Sequence, residues 1–443
     1  MAGFCRRFGG FNFTCVLKTL SSFGITKTIP MTKFKLRLKP LSIIRKTALL
    51  LFLCTVEAQL VSAQNKLPVV KASNKQCIIR DGKRPVSWGL DPKARPDIYY
   101  VDIPRRKNTI TLETDQGKIS FKTKYGEDYD FVVLLNGKDS CFTRISARAH
   151  PTTSDLSSSG LPPDTIPFTL KGSRVYFQGV LNGKEPVSIQ FDTGAGTSCV
   201  SKQSSERLNL SFTRKIVVSN SNGINETRRS MNNTLSIGKM QLGRMSLAEV
   251  SNMQPGEDLI IGTNYFRDKI IEIDYDKLLF IVRDQLPEYA KSFTRQAMVY
   301  GLNIKSKIVQ NGKKYNFWFG FDTGRDGTML LREDFTEQPG VWENLKELAM
   351  LNGRKIVRLN ATIAGVTFKD IVTNAADPTK PAARRAGSLF GNAILNHFNV
   401  ILDYRKGYIY LKPNSRSNEP YSDFKSYESE MKKLKEGADS SGR

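Results

Sequence analysis

Val187-Ser188-Ile189-Gln190-Phe191-Asp192-Thr193-Gly194 and Tyr315-Asn316-Phe317-Trp318-Phe319-Gly320-Phe321-Asp322-Thr323-Gly324 are two copies of one pattern, an apolar strand-prone run that ends in Asp-Thr-Gly. Each copy is preceded by a second strand-like run and a turn. These are Val175 to Gln178 with Leu181-Asn182-Gly183-Lys184, and Lys305 to Gln310 with Asn311-Gly312-Lys313. Downstream, an apolar pair meets a glycine in Ile260-Ile261-Gly262 and again in Leu389-Phe390-Gly391, 70 and 69 positions after the respective aspartates. A helix-compatible stretch and a two-strand pattern follow each glycine. Asp274-Tyr275 and Asp403-Tyr404 close the first strand of each pattern at an offset of 129. Four landmarks in register identify an internal duplication.

An aspartate at the end of an apolar strand is held on a rigid turn, and the duplication supplies two of them. Two carboxyls brought together cannot both ionise cheaply, so they share a proton. Such a pair activates a water without metal or covalent intermediate: one carboxylate takes the water's proton while the protonated partner donates to a carbonyl oxygen. Gly194 and Gly324 suit tight turns with close backbone approach, and the hydroxyls of Thr193 and Thr323 are placed to tie the two loops together. Other hydrolytic chemistries are poorly served. His150 and His397 are the only histidines in the chain, so no zinc site, Cys/His pair or Ser/His/Asp triad is expected, and no cofactor.

Over residues 170 to 413 the chain resembles the retropepsin-like aspartic proteases, in particular bacterial secreted relatives and the two-lobed single-chain pepsin arrangement. Asp192-Thr193-Gly194-Ala195-Gly196-Thr197-Ser198 is similar to the family's catalytic loop. Gly262 and Gly391 stand in its apolar-apolar-Gly motifs. The resemblance implies an all-β, bilobal fold, with Asp192 and Asp322 as the catalytic pair, Thr193, Gly194, Thr323 and Gly324 as loop support, and peptides or proteins as substrate. It also implies a hairpin flap over the cleft. Val217 to Ser236, with its Asn222-Gly223 turn, is the candidate in the first lobe; residues 340 to 370, with a helix-like Leu345 to Met350, show no obvious flap tip in the second. Ala195 and Arg325 depart from the hydroxyl residue that pepsin-like enzymes often carry after the catalytic glycine.

Around this core we read residues 64–155 as a small N-terminal β-domain, 156–169 as a linker, 170–290 and 291–413 as the two lobes, and 414–443 as a charged flexible tail. Residues 1–63 read as a signal region, with a start at Met31 and cleavage before Gln64. Basic residues lead into a short apolar run, and Val61-Ser62-Ala63 closes it. That run is too short for a transmembrane anchor. The expected product is a monomer that is secreted, periplasmic or on the cell surface. Its 57 Lys and Arg outnumber its 41 Asp and Glu, but the dispersed charge gives no specific nucleic-acid motif. Cys77 and Cys141 bracket the N-terminal region and are the candidate disulfide pair in an oxidising compartment. The competing reading is a secreted, catalytically inactive protease-fold protein that binds peptides or surface polymers.

Overall fold

The protein is described here by a computed structural model covering residues 67–82, 84–148, 164–220, 223–267, 269–299, 301–351, 354–379, 387–421 and 432. Residues 1–66, where the signal region is expected, residues 149–163 and most of the expected C-terminal tail lie outside the described residues. Strands dominate the remainder, and the longest helix described is the six-residue Lys202–Arg207.

Between residues 69 and 146 two four-stranded sheets face one another. One runs in the order Val69–Ala72, Asp128–Leu135, Asp139–Ser146, Asp97–Tyr100, and the other in the order Arg84–Gly89, Gln76–Asp81, Asn108–Glu113, Lys118–Thr123. Alternation along the strands turns Ile79, Ile110, Leu112, Phe131, Val133 and Leu135 into a shared core, each at most 1% exposed. Cys77 and Cys141 are buried in that core as free thiols, and Cys77 Sγ donates to the Trp88 carbonyl at 3.4 Å. The bridge expected from the sequence is therefore not formed here, because the Cys77 thiol is turned along its own sheet toward the neighbouring strand. The Arg267 guanidinium, 3.2 Å from Asp102, and Arg106, donating to the Met298 carbonyl at 2.9 Å, fasten this sandwich to the rest of the molecule.

Asn-Gly turns build the duplicated part. Asn182 and Gly183 have φ of 54° and 65°, and Asn311 and Gly312 have 48° and 74°. This left-handed pair matches strand twist and closes a tight hairpin. The first hairpin joins Arg174–Leu181 to Pro186–Phe191, and the second joins Asn303–Gln310 to Lys313–Asp322. Behind each aspartate strand runs a parallel neighbour carrying the apolar pair, with Phe191 opposite Ile261 and Phe321 opposite Phe390. Phenylalanine clusters fill the space beneath: Phe191 meets Phe280 at 4.8 Å between ring centroids, and Phe319 meets Phe390 at 5.0 Å.

The two copies are joined through Ile270–Asp274 and Phe398–Asp403, which pair antiparallel in the register Ile270↔Asp403 to Ile273↔Val400. Glu272 faces Ile401, its own counterpart at the 129-residue offset. A local twofold axis passes through that pair.

Three segments differ from the sequence reading. Asp164–Pro167, inside the expected linker, is an edge strand paired with Leu279–Arg283, and Phe168 beyond it is buried. The helix-like Leu345 to Met350 instead runs into the strand Glu347–Leu351. Pairing with Arg354–Ile363 supplies backbone hydrogen bonds that override its helix propensity. The start of the expected tail is ordered: Ser415–Asn418 forms a 3₁₀ turn, and Tyr421 packs edge-on against Phe368 and His397.

Candidate active site

Each aspartate sits where a strand leaves the sheet and its loop turns back over the apolar-apolar-Gly segment. Gly262 and Gly391 are required there by space. A Cβ on Gly262 would lie 2.3 Å from the Ala195 carbonyl oxygen, and one on Gly391 would lie 2.3 Å from that of Gly327. Backbone N–H groups fasten the loops to these segments: Gly262 N donates to Ser198 Oγ at 3.2 Å, and Gly391 N donates to the Thr328 carbonyl at 2.8 Å.

The loops themselves are locked together by their threonines. Thr193 N donates to Thr323 Oγ1 at 3.1 Å and Thr323 N to Thr193 Oγ1 at 2.9 Å. The two hydroxyls then donate onward to the Phe321 and Phe191 carbonyls. Thr193 and Thr323 are buried, so these groups have no water to fall back on, and separating the loops would leave four polar partners unsatisfied.

Each carboxyl is cradled by its own loop and presses on the other. Asp192 Oδ1 accepts from Gly194 N at 2.7 Å and Ala195 N at 3.1 Å, while Asp322 Oδ1 accepts from Gly324 N at 3.0 Å and Arg325 N at 3.2 Å. A Cβ on Gly194 would fall within 3.0 Å of all three Asp322 carboxyl atoms, and one on Gly324 within 2.4 Å of those of Asp192. Both aspartates are half-buried, and Gly194 and Gly196 beside them are exposed, so the pair is reachable from solvent.

Burial pushes the Asp192 carboxyl well above the usual carboxylate range, and the neighbouring Asp322 raises it further by its charge and by a hydrogen bond. Asp322 is also raised by burial, but the bond from Asp192, the N–H groups of Gly324 and Arg325, and the positive Arg325 side chain all favour its ionised form. Burial thus favours the protonated form of each carboxyl, and the two together hold a proton more readily than free carboxyls do.

The sequence reading did not single out three residues that brace the Asp322 loop from the other copy. Arg174 Nε and Gln190 Nε2 both donate to the Gly324 carbonyl, at 3.0 and 3.1 Å. Ser173 donates to Asp326 through its backbone N and its hydroxyl, at 3.0 and 2.8 Å. Gln190 carried a signal, being an amide between Ile189 and Phe191 just ahead of Asp192, and it is only 4% exposed. Such a residue inside a core strand needs a partner.

The first candidate flap forms an antiparallel hairpin from Phe212–Asn220 and Gly223–Ile237, with Asn220 opposite Gly223. Its counterpart at the repeat offset joins Glu347–Leu351 to Arg354–Ile363, with Leu351 opposite Arg354. Both turn tips lie outside the described residues. Among the described residues no group of three or more His, Cys, Asp or Glu converges to hold a metal, and no helix is long and apolar enough to cross a membrane.

Residues 177–268 match the protein family described as "gag-polyprotein putative aspartyl protease". No curated protein matches the chain. Among solved structures it is similar to the aspartic proteinase from Irpex lacteus, at 13% identity and a TM-score of 0.42, over 58% of this chain and 99% of that one. The matched stretch, which carries Asp192-Thr193-Gly194 and Ile260-Ile261-Gly262, is thus aspartyl-protease-like at the level of its family.

Proposed function

We propose that the protein is a bilobal aspartic endopeptidase that hydrolyses peptide bonds with a water activated between Asp192 and Asp322. The observation that carries this reading is the mutual threonine lock, which holds two proton-sharing carboxyls against each other's loops. The ionised Asp322 takes a proton from the water as its oxygen attacks the peptide carbonyl carbon. The proton on Asp192 passes to the carbonyl oxygen, giving a neutral gem-diol. Collapse returns a diol proton to Asp192, the proton held by Asp322 passes to the departing nitrogen, and the C–N bond breaks. Every proton is accounted for within the pair, and no metal or cofactor enters.

In this reading residues 170–290 and 291–413 are the two lobes, the substrate lies across their junction, and a monomer suffices because one chain supplies both aspartates. Secretion or periplasmic export accords with the signal-like N-terminal region and belongs to the same proposal. Activity is expected in mild acid, at about pH 4 to 6, where the pair retains one proton. A fluorogenic peptide assay with and without a statine-type inhibitor tests it. Turnover abolished by stoichiometric inhibitor supports the enzyme. A folded protein that neither cleaves the peptides nor binds the inhibitor would instead be a scaffold for peptide or polymer binding.

A further inference from the structure

The wall beside Asp322 is basic. Arg325 follows the Asp322-Thr323-Gly324 turn, and its backbone N–H is anchored on the Asp322 carboxyl. The side chain folds back on its own loop. A Cβ on Gly391 would lie 3.1 Å from Arg325 Cγ, and one on Gly327 would lie 3.7 Å from Arg325 Nε. Arg325 Nε is buried and has no hydrogen-bond partner among the described residues. Among the described residues no carboxylate lies within ion-pair distance of Arg325 or of Arg354. Arg354 is the exposed first residue of the Arg354–Ile363 strand, where that strand leaves the turn of the second hairpin, and its charge acts on Arg325.

The other charges facing Arg325 are Asp322, Arg174 and Asp326. Each has an employment already: Asp322 in the carboxyl pair, Arg174 on the Gly324 carbonyl and near Glu257, and Asp326 on Ser173. A loop and a hairpin thus each bring a guanidinium to this side, and Arg325 holds a desolvated donor that nothing among the described residues satisfies. Leaving such a donor unmade is costly, so a ligand that completes it gains the full bond.

We propose that Arg325 and Arg354 form a receptor for a carboxylate side chain of the substrate, close to the scissile bond on the Asp322 side. The inference rests on the peptidase reading and names its substrate class: peptides with Glu or Asp flanking the cleaved bond. Arg325 then has two duties, favouring ionised Asp322 and selecting an acidic neighbour.

Matched fluorogenic peptides with Glu, Gln or Lys at the residues flanking the scissile bond provide the test. The Glu peptide should be cleaved with kcat/KM about tenfold above the Lys peptide, with Gln between them and the gap narrowing as salt rises. Arg325→Met should flatten the order. Arg354→Glu, a change at an exposed position, should invert it. Equal cleavage of all three peptides by the wild type, or a Glu preference unchanged in both variants, overturns the receptor while leaving the peptidase standing. No cleavage of any peptide overturns the peptidase reading instead. Calorimetric titration of statine-centred peptides flanked by Glu or Lys then judges the receptor alone. Tighter binding of the Glu form supports it, and equal or undetectable binding rejects it.

Discussion

The loops Asp192 to Ser198 and Asp322 to Thr328 share a backbone and differ in side chains. Both aspartates accept two N–H bonds from their own turn, both threonines bond across, and both turns press on a glycine that admits no Cβ. Yet Ala195 and Gly196 correspond to Arg325 and Asp326, and the second loop is braced by Ser173, Arg174 and Gln190 of the other copy. Duplication thus secures the geometry, while the side chains around the two carboxyls differ. Two identical carboxyl sites would leave the shared proton undecided. On the proposed reading, the Arg325 guanidinium adds to the N–H groups that favour the ionised form of Asp322.

The largest expected effect breaks both sides alike. Asp192→Asn and Asp322→Asn should each lower kcat by about 10²- to 10⁴-fold with little change in KM, and the double variant should cost little more, because the carboxyls act as a unit. Near-normal turnover by folded Asp322→Asn would end the single-chain pair. Stability should move the other way. Burial raises both carboxyls, so the native state holds more protons than the unfolded chain once pH exceeds the unfolded carboxylate range. Stability is then full below the unfolded value and falls as pH rises toward the native one. Either Asn variant should resist denaturant better than wild type at about pH 7 and not at about pH 3, measured by urea midpoint.

Next in size come the glycines under the loops. Gly262→Ala and Gly391→Ala each place a Cβ against a backbone carbonyl. Each should cost about 1–3 kcal/mol of stability and much of the activity. If the second loop's extra bracing shares the strain, Gly391→Ala should be the milder of the two. Equal losses in chemical denaturation would remove that distinction.

Arg325 gives a smaller and more specific effect. Its charge favours ionised Asp322, so Arg325→Met should raise that carboxyl and carry the acid limb of the kcat/KM profile to higher pH. A limb that stays in place, or moves to lower pH, contradicts the assignment of Asp322 as base. Smallest of all is the thiol count, which touches neither loop. Burial pushes Cys77 up to about 12, with Cys141 adding to the shift, and pushes Cys141 up to about 11. Both should therefore resist alkylation in native protein and react only after unfolding. Rapid native labelling would show that the N-terminal core opens, and failure to label in unreduced, unfolded protein would restore the bridge read from the sequence.

The sequence alone determined the repeat, the strand that delivers each aspartate and the glycines behind it, because these are encoded locally. Alternating apolar residues set strands, Asn-Gly sets the hairpin turn, and a glycine where no Cβ fits is visible as a glycine. Tertiary structure decided the rest. Leu345 to Met350 has helix-forming residues, but the neighbouring strand Arg354–Ile363 offers backbone partners that local propensity cannot foresee. Ser173, Arg174 and Gln190 gained their roles only when a twofold through Glu272 and Ile401 brought residues some 130 to 150 positions apart into contact. Cys77 and Cys141 share a core, but the direction of each thiol depends on how two sheets stack. The raised proton affinity of Asp192 and Asp322 follows from the same cause: it comes first from burial, and burial is a property of the folded chain.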